Sequence, residues 1–181
     1  MAAKRPIVVL FLALVASSLA LAGAAPAQVA GPEAVLGDLD EIEAPTIVLI
    51  NELRVENGLR PLKVSFRLAQ AAEEHAVSMA TEGYFDHSSS DGTSFWKRIA
   101  RFYPQGGFRR WTVGENLLWA SPDVTASQAL QMWLGSPGHR KVLLSPAWTH
   151  IGLAAVHVTN APGIYEGFDV TILAADFGAR S

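Results

Sequence analysis

The chain has 181 residues, and its 14 basic against 17 acidic side chains give a formal charge of −3. An acidic chain without a basic stripe excludes nucleic-acid binding of the kind that rests on Lys and Arg against phosphates. The lack of any cysteine excludes thiol chemistry and disulfides, so stability rests on packing, with five Trp and eight Phe to build a core.

Residues 1–27 read as a secretory signal, with Lys4 and Arg5 ahead of an apolar run over residues 7–22 and Ala25-Pro26-Ala27 as the small-residue cleavage pattern. The run is shorter than the roughly 20 residues a spanning helix takes, and no stop-transfer segment follows. Retention as an N-terminal anchor is the alternative to cleavage. Cleavage leaves about 154 residues, a size suited to one domain, with a formal charge of about −5. Residues 28–44 are small and acidic and read as a loosely ordered lead-in, followed by one domain over residues 45–178.

Pro45 suits the first turn of a helix, and Ile47, Ile50, Leu53 and Arg54 continue at helical spacing to a stop at Asn57-Gly58. After a short Leu62-Lys63-Val64 connection, Ser65 is the expected cap of a second helix that ends near Thr81 at Gly83. Its apolar face carries Leu68, Ala72, Ala76 and Met79, and His75 shares that face as a core or boundary residue. Phe95, Trp96, Ile99 and Phe102 mark a short helix broken by Pro104. Asp123 is the expected cap of a further helix through Leu130 and Trp133, which ends at Ser136-Pro137-Gly138. The C-terminal residues 151–158 and 168–177 have strand character and read as an antiparallel hairpin, with His150 and His157 placed at the surface. Helices come first and β-pairing later, with no βαβ repeat, so the class is α+β with layered packing.

His87, Glu115 and His139 each sit beside sharp backbone punctuation. Two imidazoles and a carboxylate suit a borderline metal such as zinc with one position open to water, and they equally suit acid–base chemistry. Each also has a plain structural reading: Glu115 as an acceptor for backbone N–H groups or an orienter of a His ring, His139 as a helix-capping residue. A serine nucleophile at Ser88 beside His87 lacks a visible base and oxyanion hole.

Phe85-Asp86-His87-Ser88, Gly114-Glu115-Asn116-Leu117 and the segment from Trp133 to Arg140, with Ser136-Pro137-Gly138-His139 at its centre, resemble the three signatures of the CAP (SCP) superfamily. That superfamily holds the cysteine-rich secretory proteins, antigen 5 and the pathogenesis-related proteins. The cysteine-free form is similar to its bacterial branch, as are Asn51-Glu52-Leu53-Arg54 and Leu59-Arg60-Pro61-Leu62. The resemblance implies a three-layer α–β–α sandwich with a small, mainly antiparallel central sheet and an open cleft. It implies a cleft of His87, Glu115, Ser136 and His139, with Ser136 standing where the family usually has a second glutamate. Zinc on His87 and His139 is the implied cofactor, and Glu115 the implied base or orienter. The expected role is a secreted or extracytoplasmic binding module for a lipid, cell-wall, glycan, peptide or protein ligand, and the alternative is a zinc-assisted hydrolase of peptidase type.

Overall fold

The computed structural model describes residues 33–35 and 40–181; the signal segment falls outside them. In chain order the elements are β1 (Glu33–Val35), α1 (Asp40–Glu56), β2 (Lys63–Val64), α2 (Phe66–Glu82), α3 (Phe95–Phe102), β3 (Trp111–Ala120), α4 (Ala126–Gly135), α5 (Pro137–Leu143), β4 (His150–Thr159) and β5 (Val170–Arg180). The sheet runs β1-β4-β5-β3. Every pairing along that path is antiparallel, and β2 adds a short parallel pairing to β4.

The two-residue period of a strand sorts the hairpin into two cores. Ile151, Leu153, Ala155, Leu173, Ala175 and Phe177 face α1, α4 and α5, where Ile50, Leu130, Trp133 and Leu143 meet them. Ala154, Val156, Val158, Ile172 and Ala174 face α2 through Ala72, Ala76, Met79 and Ala80. Burial on both faces is why β4 and β5 read as nearly continuous apolar runs, and it makes the domain an α–β–α sandwich. Gly152 sets how closely α2 approaches: a Cβ there would stand 2.0 Å from the Ala69 amide nitrogen.

Ser65 caps α2 as expected, accepting from the Leu68 N–H, and Gly83 closes it in the left-handed conformation at φ 73°. His75 is buried among the same residues. Four local expectations shift. Pro45 lies inside α1, which starts at Asp40 and so takes in the end of the supposed lead-in. As the sixth residue of α1, Pro45 forgoes the bond that an N–H there would make to the Glu41 carbonyl. Thr125, not Asp123, caps α4, because Gln128 completes a reciprocal capping box with it. Residues 33–35 pair with β4 as an edge strand, and residues 63 and 64 pair with it rather than merely connecting two helices. His150 and His157 are half-buried within β4 and bonded to Thr149 and Thr171 hydroxyls, not free at the surface. Among the described residues, no helix is long and apolar enough to cross a membrane.

Candidate functional site

β3 forms one edge of the sheet, and three consecutive residues on it, Gly114 to Asn116, organise the candidate site. Gly114 leaves room for the Trp148 indole, since a Cβ there would sit 2.7 Å from the ring. Glu115 and Asn116 then point to opposite faces, as neighbours on a strand must. Glu115 faces the α2–α3 side, where its Oε1 accepts from His87 Nδ1 at 2.8 Å. Asn116 faces the α5 side and donates from Nδ2 to the His139 carbonyl at 3.1 Å. The two histidines therefore reach the cleft from different layers of the sandwich. They stand close enough for the charge of His87 to lower the pKa of His139.

Glu115 is almost fully buried and its carboxylate is doubly engaged. Its second oxygen is ion-paired with Arg98, itself 1% exposed. The same guanidinium donates from Nη1 to the His87 carbonyl at 3.0 Å and to Ser89 Oγ at 3.3 Å. Arg98 thus fixes both the carboxylate and the loop that bears the imidazole. The ring of His87 is about half-exposed, and the hydrogen bond it donates to Glu115 raises its pKa above the ordinary histidine value, partly offset by burial. His139 shifts the other way: partial burial, then the charge of His87, favours the neutral ring.

Asp176 stands opposite Glu115 on β5, with Gly152 beyond it on β4. It is wholly buried, and among the described residues neither oxygen has a partner in good hydrogen-bonding geometry. Burial first, and the Glu115 carboxylate second, push the Asp176 carboxyl well above the usual range. The shift favours the protonated form of Asp176 beside the Arg98–Glu115 pair.

Behind His87, His75 holds the base of its loop. The Nε2 of His75 lies 2.9 Å from the Asp86 carbonyl, and burial lowers its pKa to about 4, so a neutral ring donates that bond. On the opposite side, α5 is tied to α1 by Arg54, which donates from Nη1 to the carbonyls of Leu143 at 2.7 Å and Ser145 at 3.0 Å. Ser136 is half-buried, ends α4 and precedes Pro137 at the start of α5 without a side-chain cap bond. Placing Ser136 at this junction turns the chain so that His139 falls within the first turn of α5.

Of the four expected residues, His87 and Glu115 share a direct hydrogen bond and His139 is tied to β3 through its carbonyl, whereas among the described residues Ser136 makes no such link; Arg98 and Asp176 were not anticipated. Signals existed for both. Arg98 falls on the same helical stripe as Phe95, Ile99 and Phe102, the stripe that turns inward. Asp176 interrupts an otherwise apolar strand buried on both faces.

The model of the cysteine-rich secretory protein family, CAP, matches residues 47–169. The chain belongs to the CAP family. Its similarity to the uncharacterized protein YkwD of Bacillus subtilis is 33% identity over 114 residues, 63% of this chain and 42% of that protein. The chain therefore spans less than half the length of that relative. Among solved CAP-like structures, an extracellular protein containing an SCP domain from Bacillus anthracis superposes with a TM-score of 0.53 at 29% identity, covering 72% of this chain and 39% of the other. An outer surface protein of Borrelia burgdorferi shares the fold, with a TM-score of 0.56 at 22% identity over 75% of this chain and 90% of that one. The sandwich expected from the CAP resemblance is thus the fold of the chain.

Proposed function

We propose that this CAP domain is an extracytoplasmic binding module whose cleft, straddling the β3 edge, holds a cell-envelope ligand between His87 and His139. The ligand classes it suits are a lipid, a cell-wall fragment or another protein. The observation that carries this reading is the double engagement of Glu115. With one oxygen on His87 and the other on Arg98, the carboxylate orients an imidazole and is poorly placed to take a proton from water. His87 then presents its outer Nε2 as a fixed donor, strongest in mildly acidic medium where the raised pKa keeps the ring charged. The extracellular and outer-surface descriptions of similar structures support the location. Saturable binding of purified protein to insoluble cell-wall material or to lipid vesicles, weakened about tenfold or more by His87→Ala/His139→Ala, is the expected result. Binding that is absent, or indifferent to both histidines, overturns the reading.

A second reading, zinc-assisted hydrolysis, is favoured by one feature. A carboxylate on Nδ1 of His87 leaves Nε2 outward, the arrangement that orients metal-binding histidines, and His139 favours the neutral form that ligation needs. The two imidazoles fit as donors. Glu115 does not join them, because both its oxygens are taken, and among the described residues no three His, Asp or Glu side chains group as a metal cage. Zinc held by His87 and His139 would supply Lewis-acid activation of water. Zinc calorimetry on the wild type and His87→Ala/His139→Ala tests this directly, with affinity expected to fall as pH drops and His87 gains its proton.

A further inference from the structure

Behind the His87 loop, and separate from the cleft, lies a polar cavity of about 270 Å³ enclosed by α2, α3 and residues 89–93. His75 and Arg98 supply buried wall, and Ser78, Ser89, Thr93 and Asp91 supply hydroxyls and a carboxylate. Its two cations are already neutralised, Arg98 by Glu115 and Arg101 by Glu74 across the rim. Among the described residues lining it, no free positive charge remains to hold an anion. Among the described residues no group of three ligating side chains is available to hold a metal ion. What remains is a mixed set of hydroxyl donors and acceptors on Ser78, Ser89 and Thr93 beside the Asp91 carboxylate.

The loop wall is built before any ligand arrives. Ser88 N–H donates to Asp86 Oδ1 at 2.6 Å and Thr93 N–H to Asp91 Oδ1 at 2.8 Å. Backbone bonds from Ser89 to Thr93 at 2.9 Å and from Gly92 to Ser89 at 2.8 Å close the turn. Little ordering cost is left for binding. The volume lies just below the roughly 300–1,000 Å³ typical of pockets for larger ligands, so it suits one ring rather than a chain of rings.

We propose that this cavity is a second binding site, for a single uncharged polyhydroxylated unit such as one sugar ring, and that Arg98 couples its occupancy to the setting of His87. The coupling is geometric: Arg98 Nη1 spans Ser89 Oγ in the cavity wall and the His87 carbonyl, and its Nη2 is paired with Glu115. A ligand hydroxyl that engages Ser89 Oγ competes for the same guanidinium that holds the His87 loop and Glu115.

The test is a ¹H–¹⁵N NMR titration of the protein with glucose and N-acetylglucosamine, and with sulfate and calcium as charged controls. The neutral sugars are expected to shift the amides of residues 89–93 and Ser78 saturably, with a dissociation constant on the order of 1–10 mM, and to move His87 by a smaller amount. Ser90→Trp, at an exposed position on the cavity mouth, should weaken these shifts about tenfold or more. Ser89→Ala should retain binding while uncoupling His87. His87→Ala/His139→Ala should leave the cavity shifts intact, which separates this site from the cleft. The proposal is overturned if no saturable shifts occur, if sulfate or calcium alone produces them, if they fall only on residues 136–139, or if Ser90→Trp leaves them unchanged.

Discussion

The loop that carries His87 and the short helix that carries His139 meet β3 from opposite faces, and they are held by different means. His87 is gripped through its side chain by a buried ion pair, with Arg98 bracing both carboxylate and loop backbone. His139 is gripped through its backbone by the neutral amide of Asn116, and its ring is left to the solvent side. The first arm has its direction and charge set in advance. The second has its backbone position set by a single amide bond, with no such hold on its ring among the described residues.

Breaking the charged grip should have the largest effect. Glu115→Gln strands Arg98 as an uncompensated buried cation, and a loss of about 3–5 kcal/mol in urea unfolding is expected. Acid should loosen the same arm. The folded pKa of His75, about 4, lies below its unfolded value of 6.5, so its contribution is full above pH 6.5 and is lost as pH falls toward 4. The loss attributable to this buried group is on the order of 3 kcal/mol, and hydrogen exchange should quicken over residues 84–90 before residues 137–143. Asn116→Ala, which releases the neutral grip, should cost only about 1–2 kcal/mol and leave the His87 resonances unmoved.

The two rings should also titrate on opposite sides of the ordinary histidine value, His87 above and His139 below. The stabilising share of His87 is present below its unfolded pKa and fades as pH rises through its folded one, whereas that of His139 is present above and fades as pH falls. NMR titration checks both directions. Smallest in stability is Ser136→Glu, expected within about 0.5 kcal/mol. Its new carboxylate should raise the pKa of His139 and make the two arms more alike.

The helices, their stops at Gly58 and Gly83, and the C-terminal hairpin were legible because each follows from local spacing or a local cap. β3 escaped notice as a strand: residues 114–118 are buried on both faces, so no alternation marks them. The four expected site residues came from motif resemblance, since nothing in their separation along the chain announces even the one contact seen, that of His87 with Glu115. Arg98 and Asp176 stood out as polar residues on buried stretches, but that they meet at Glu115 depends on how α3 packs and on the register of Glu115 opposite Asp176, which only the assembled sheet defines. Pro45 shows the reverse error, in which a sound local rule gave the wrong helix start.

One consequence follows from Glu115 and Asn116 being neighbours on a single edge strand. Both jaws of the cleft are mounted on one ribbon, back to back, so their separation is fixed by the thickness of the sheet at that point. No hinge between two lobes is needed to bring them together or apart. The available adjustment is torsion of β3 about its own axis, which would swing one jaw inward as the other swings out. A single residue inserted in β3 ahead of Glu115 would turn Glu115 and Asn116 to the opposite faces of the sheet.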